Sequence, residues 1–503
     1  MASNKNSVDL VLIHPGHRTK IYQSLGDELS AVETPIWAGL IASFVRKKGF
    51  SVAIIDPEAE DLNLVQITER VKDLKPLLTF IVVYGHQPSA STQNMTVAGE
   101  ICAALKDYDP TWKVGFVGGH VASLSERTMR EENCDFIAGG EGFYTIFELL
   151  ETVKAKETDW SKVRGLWYRE GDQLKTTPPT PLVTDLDNDM PGIAWDLLPM
   201  SEYRACNWHS FGDMKRKPYA AIYTTLGCPF HCTFCCIQSP FKEGEKVLGM
   251  KGSINSYRFW SPQRVIEEID LLVNKYGIRN IKFADEMFVL NMKHVHAIAE
   301  LIIQRGYDLN IWAYARIDTV KSDEDLGRLK KAGFNWLCFG IESASERVQE
   351  NVDKSFSQEK IYDVINKVRS AGINVLANYI FGLPEDNMES MQETLDQALE
   401  LNCEFANFYC AMAYPGSELY NTALKEGWQL PKNWTGYSQH STDMLPLPTK
   451  YLSASEVIRF RDNAWQTYFT SPKYLEMIER KFGHPTLEHV KEMTSHKLVR
   501  QYA

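Results

Sequence analysis

The sequence predicts an α/β protein: an N-terminal doubly wound, Rossmann-like parallel sheet, then a partial βα barrel of TIM type, then a small, mainly helical C-terminal region. Three observations predict it. Through the first 150 residues short apolar runs alternate with amphipathic stretches, and after Pro218 the alternation begins again. Strands alternating with helices form right-handed βαβ units on a parallel sheet. The 503-residue length exceeds what one hydrophobic core organises.

Taken in order, VDLVLIHP, SVAIIDPEA, LLTFIVVYG, KVGFVGG and CDFIAGGEG are five expected strands. Residues 36–48, 62–74 and 92–107 are helices between them, and FYTIFELLE begins another. Ligands of such sheets lie beyond the carboxyl ends of the strands. Those ends carry His14, Pro15 and Gly16; Asp56 and Pro57; Gly85 to Ser89; Gly118, Gly119 and His120; and Gly139, Gly140, Glu141 and Gly142. Glycine lets backbone approach a bulky ligand, and Ser89, Ser91 and Thr92 can donate to it. A large cofactor is therefore expected there, in a domain of residues 1–155.

Residues 156–217 read as a linker, with a hairpin around Glu170 and Gly171 and an extended TTPPTP. Residues 218–430 give six strands: AIYTTLG, IRNIKFADE, NIWAYARID, NWLCFGIES, INVLANYIFG and CEFANFYCAMAYPG. Residues 431–503 are irregular at first, then helical. In this region Trp434, Tyr437 and His440 are candidates for closing the barrel mouth over a substrate, with packing as the alternative.

A net charge of -11 disfavours nucleic acid as a partner, because phosphate backbones need clustered Lys and Arg. A small molecule is expected instead. The longest apolar run, 77–84, is far short of the roughly 18 residues that span a bilayer, and MASNKNS lacks a signal-peptide layout. No membrane span and a cytoplasmic location are expected. Of ten cysteines, Cys102, Cys134, Cys206, Cys338, Cys403 and Cys410 lie singly and read as buried thiols.

The clustered cysteines carry chemistry. AIYTTLG runs into CPFHCTFC, which sets Cys228, Cys232 and Cys235 on one loop with spacing C-x-x-x-C-x-x-C. A four-iron cluster ordinarily takes four thiolates, so three leave one iron open to a small molecule. Zinc prefers two separated pairs, and the chain has no second pair. Cys236 adjoins Cys235, and adjacent side chains diverge, so it is a poor fourth ligand.

CPFHCTFC after a strand resembles the signature loop of the radical S-adenosylmethionine superfamily. The resemblance implies a [4Fe-4S] cluster on Cys228, Cys232 and Cys235, whose open iron binds S-adenosylmethionine and cleaves it to a 5'-deoxyadenosyl radical. It implies that Phe234 lies by the adenine, that Asp285 or Glu286 meets the cofactor's amine, and that Arg316, Glu342 and Ser343 hold its other parts. The superfamily's Gly-Gly-Glu is absent at Asp285–Glu286, which leaves open which of the two acts.

Residues 8–150 resemble the cobalamin-binding domain that precedes the radical domain in one large subclass. This implies cobalamin near His14, Pro15, Gly16, Ser89, Ser91, Thr92, Gly118, Gly119, His120, Gly139, Gly140 and Glu141. The D-x-H-x-x-G motif that supplies a histidine to cobalt is absent, since the first strand ends HPGHR. Cobalt is thus expected to lack a protein imidazole, although His14, His17, His86 and His120 are near.

The expected activity is a cobalamin-dependent radical methyltransferase acting on an unactivated carbon, or a phosphorus, of a small metabolite. It would draw electrons from a flavodoxin or ferredoxin. The alternatives are an oxidase or cyclase of the same architecture and a non-catalytic iron–sulfur or nucleotide sensor.

Overall fold

The computed structural model describes residues 7–16, 18–85, 87–212 and 215–503. His17 and His86 therefore lie outside the described residues.

The first sheet is built from β1 (Leu10–Ile13), β2 (Val52–Ile55), β3 (Leu78–Val82), β4 (Val114–Val117) and β5 (Phe136–Ala138). All five are parallel, in the order β2-β1-β3-β4-β5. Strands buried on both faces need continuous apolar runs, and LVLI and LTFIV supply them. Helices Ile36–Lys47, Leu64–Leu74 and Met95–Tyr108 lie where the periodicity placed them. The second begins at a capping box between Asn63 and Gln66.

The expected hairpin forms as β6 (Leu166–Glu170) and β7 (Gln173–Thr176), around Gly171 at φ 59°. It does not stand apart as a spacer. It pairs antiparallel with β5 and widens the sheet to seven strands. Later parts of residues 156–217 bind both units: Tyr203 Oη donates to Asp56 at 2.8 Å, and Trp195 Nε1 to Glu268 at 2.6 Å.

The second unit contains β8 (Tyr219–Ile222), β9 (Thr225–Leu226), β10 (Arg258–Phe259), β11 (Asn280–Phe283), β12 (Asn310–Ala315), β13 (Phe334–Glu342), β14 (Asn374–Phe381) and β15 (Phe405–Cys410). The ribbon β9–β10 flanks the cysteine loop. The others form one parallel sheet, β8-β11-β12-β13-β14-β15, which is the partial barrel.

Among the described residues β15 has no partner strand on its outer edge. Unpaired edges carry unsatisfied backbone groups, and here side chains satisfy them. Arg461 Nε donates to Phe408 O at 2.7 Å, while Gln439 bonds both the N–H and the carbonyl of Cys410 at 2.8 and 3.0 Å. Helices Ala454–Phe469, Pro472–Phe482 and His484–Ser495 complete the C-terminal region. No helix among the described residues is long and apolar enough to cross a membrane. All the expected lone cysteines are buried except Cys206, which is half-buried.

Candidate active site

The order β2-β1-β3 places the switch point of the first sheet between β1 and β3, where the chain turns to opposite sides and a crevice opens. A cavity of about 930 Å³ begins there and continues into the barrel. His14, Gly16 and Ser89 line it on the first side; Phe234, Cys235, Cys236, Glu286, Arg316 and Glu342 line it on the second.

The cysteine loop leaves β8 through Gly227, at φ 92°, where a Cβ would stand 2.2 Å from Ser256 O. Only glycine fits immediately before Cys228. Asp285 is fully buried and anchors the loop's base: it accepts from Thr224 N at 3.1 Å, Thr224 Oγ1 at 2.7 Å and Thr225 Oγ1 at 2.6 Å. Burial pushes its pKa up to about 6 against those bonds.

Glu286 points into the cavity and has no hydrogen-bond or ion-pair partner among the described residues. Burial raises its pKa to about 8, opposed by the Lys282 ammonium. Of the two neighbouring acids, one holds the loop and the other remains available to a ligand.

Arg316 braces the same loop. Its guanidinium lies 3.7 Å from the Phe230 ring centroid, pairs with Asp318 at 3.0 and 3.2 Å, and sets Nη1 3.8 Å from Cys232 Sγ. Glu342, at φ 68°, pairs with Lys354 at 2.5 Å, both nearly buried. A Cβ on Gly340 would overlap both partners. Ser343 turns away, toward Thr394 Oγ1 at 3.2 Å.

Burial raises the Cys228 thiol to about 11 and the Cys236 thiol to about 12, and pushes Cys235 well above the usual range. Iron binding deprotonates coordinating thiols outright. Among the described residues no three Cys, His, Asp or Glu side chains converge on one ion position. A four-iron cluster asks for no such convergence, since each thiolate takes a different iron.

In the first unit most of the predicted residues shape the crevice from behind. Ser91 Oγ donates to Val83 O and accepts from His120 N; Thr92 Oγ1 meets His120 Nδ1 at 3.2 Å. A Cβ on Gly118 would strike Val83 O, and Gly119 abuts Ser91. Pro15 is buried between two cavity-lining residues. Gly139 packs on Gly165 O, and Gly140, which accepts from Tyr84 Oη at 3.4 Å, faces Pro240. Glu141 turns to Arg258 of the barrel. Burial lowers His14 to about 4 and His120 to about 3, so both imidazoles are neutral.

Several cavity residues escape sequence reasoning. Trp37 stacks on Tyr84 at 3.9 Å, Asn407 donates to Asn378 at 2.9 Å, and Arg461 and Lys497 arrive from the C-terminal region. Of the C-terminal candidates, His440 lines the cavity, Tyr437 is buried, and Trp434 packs edge-on to His120 at 4.4 Å.

Residues 23–150 match the B12 binding domain family, and residues 222–398 match the radical SAM superfamily. An uncharacterized methyltransferase of Pyrococcus horikoshii is 30% identical over 442 residues, which cover 88% of this chain and 89% of the relative. The chain belongs to the cobalamin-binding radical SAM enzymes. An anaerobic magnesium-protoporphyrin IX monomethyl ester cyclase of Cereibacter sphaeroides is 26% identical over 82% of this chain and 63% of its own length. The radical SAM methyltransferase TsrM of Kitasatospora setae, solved with cobalamin and a [4Fe-4S] cluster, superposes with a TM-score of 0.67 at 15% identity over 93% of this chain and 90% of that one.

The cofactors of this radical SAM enzyme are a [4Fe-4S] cluster, S-adenosylmethionine and cobalamin. Its residues fit them. The loop offers three thiols, Glu286 at the end of β11 offers a carboxylate without a partner among the described residues, and the β1–β3 crevice opens on the same cavity.

Proposed function

We propose that this enzyme methylates an unactivated carbon, or a phosphorus, of a small metabolite. One observation carries the reading: the cysteine loop and the β1–β3 crevice share a single cavity. A relative named cytidylyl-2-hydroxyethylphosphonate methyltransferase, of Streptomyces wedmorensis, is 23% identical over 79% of each chain and supports it.

Cys228, Cys232 and Cys235 would hold the cluster, Glu286 the cofactor's amine, and His14, Gly16 and Ser89 would border the corrin. When bound, these groups supply a radical source and a methyl carrier. The protein's own part is positioning and exclusion of water. Asp285 and Arg316 fix the loop from two sides. Trp37, Tyr84 and Tyr314 wall the cavity with rings. We place the enzyme in the cytoplasm, with a flavodoxin or ferredoxin as electron donor.

Stoichiometry tests the reading, because one S-adenosylmethionine gives the methyl group and another the radical. With methyl-deuterated S-adenosylmethionine and candidate metabolites, mass spectrometry should count one S-adenosylhomocysteine and one 5'-deoxyadenosine per labelled product. Sustained product with 5'-deoxyadenosine alone and no label would replace methyl transfer by oxidation or ring closure.

A further inference from the structure

Among the described residues every Asp, Glu, Lys and Arg side chain on the cavity wall has an ion-pair partner except Glu286 and Lys497, and one wall carboxylate, Asp462, serves two guanidiniums. Arg18 pairs with Glu58 at 2.8 Å, Lys282 with Glu33 at 3.3 Å, Lys354 with Glu342 at 2.5 Å, and Arg316 with Asp318 at 3.0 Å. Glu286 is left over, one strand from the β8 edge. The second surplus is positive and stands at the opposite edge of the sheet, against β15.

That surplus comes from two guanidiniums sharing one carboxylate. Asp462 accepts from Arg461 Nη1 at 2.7 Å and from Arg500 at 2.9 and 3.0 Å. Arg500 is otherwise held by Ser441 O and Gln439 O. Arg461 Nε is held by Phe408 O, but its Nη2 has no protein partner among the described residues, and Arg461 lines the cavity while only 5% exposed. Lys497, also on the wall but exposed and without an ion-pair partner among the described residues, adds a second cation at the mouth.

A buried guanidinium with free N–H groups is costly unless an acceptor reaches it, and its planar fork suits an oxyanion. In a chain of net charge -11 a cationic end to an internal cavity is not a property of the surface at large.

We propose that the substrate carries an oxyanion, a carboxylate or a phosphate-type group, which docks on Arg461 with Lys497 at the entrance. This rests on the reading of the cavity as the place where a small metabolite is methylated. The bound anion leaves the rest of the substrate extending from the cationic end of the cavity toward Glu286 and the cysteine loop.

The test uses the full chain loaded with cluster, cobalamin and S-adenosylmethionine, so that the cofactors' own sites are filled. Binding of phenyl phosphate is followed by phosphorus NMR line broadening; 4-fluorobenzoate and the neutral 4-fluorobenzyl alcohol are followed by fluorine NMR. Both anions should bind more tightly than the alcohol. Arg461→Gln should weaken them about tenfold and Arg461→Lys restore part of the loss. Lys497→Gln should weaken them about threefold, with the alcohol unmoved throughout.

A preference between the anions assigns the group. Anions that bind no better than the alcohol, or that neither variant moves, overturn the proposal. Should Arg461→Gln collapse the cavity and lose all three probes, exposed Lys497 decides. Failure of methyl transfer with these affinities intact would count against the function and not against the anion site.

Discussion

The Arg258 guanidinium closes on both oxygens of the Glu141 carboxylate, at 2.5 and 3.1 Å, and so joins the barrel to the end of β5 in the first sheet. Val183 N donates to the same carboxylate at 3.0 Å, and Arg258 returns a bond to Val183 O at 2.6 Å. Removing one partner of a buried pair leaves an uncompensated charge. Arg258→Met should therefore cost about 3–5 kcal/mol in urea unfolding, and adding Glu141→Leu should recover most of it. A double variant no more stable than Arg258→Met would show that the pair is not the unit of the interface.

Anaerobic reconstitution should give about four irons per chain on this cluster. Cys228→Ala, Cys232→Ala or Cys235→Ala should abolish it, and Cys236→Ala should keep it, as read by iron and sulfide analysis. Loss of iron from Cys236→Ala with retention in Cys228→Ala would reverse the assignment.

Cobalamin in the full chain should carry no protein imidazole on cobalt, even though His14 lines the cavity. Electron paramagnetic resonance of the cobalt(II) form should lack nitrogen splitting from a protein histidine. His14→Ala should leave the spectrum unchanged. Nitrogen splitting that disappears in His14→Ala would make that residue a ligand.

Glu268 accepts from Ile193 N at 2.9 Å and Trp195 Nε1 at 2.6 Å, yet burial lifts its pKa from 4.5 to about 7. Between those values the folded protein keeps a proton that the unfolded chain has released. This group's contribution to stability therefore falls as pH rises through the window and levels off above it. Melting curves of Glu268→Gln should show a shallower loss from pH 5 to 8 than the wild type. Parallel curves would contradict the shift.

Much of this architecture was legible because it is local. Alternating apolar runs gave both sheets, and the Cys228–Cys235 spacing marked the loop without any tertiary information. What was not legible depends on partners distant in the chain. Asp285 and Glu286 are adjacent acids in sequence, and only the packing of Thr224 and Thr225 on the first separates anchor from ligand. Glu141 sits in a glycine-rich strand end that looks like part of a cofactor cradle, but its partner lies 117 positions away. The hairpin at Gly171 was visible, but not that β5 offered it an edge. Arg461 gave no signal, since nothing in its helix announces the carbonyl of Phe408.

The seam at β15 is closed by side chains, where another strand would have closed it with a backbone ladder. A ladder ties register and curvature of the whole sheet to each residue in it, whereas a seam of Arg461 and Gln439 can be rewritten one residue at a time. A change of residue on that stretch of wall therefore leaves the backbone ladders beneath the cysteine loop untouched. One scaffold can in this way be retuned to chemically unrelated acceptors through its last seventy or so residues.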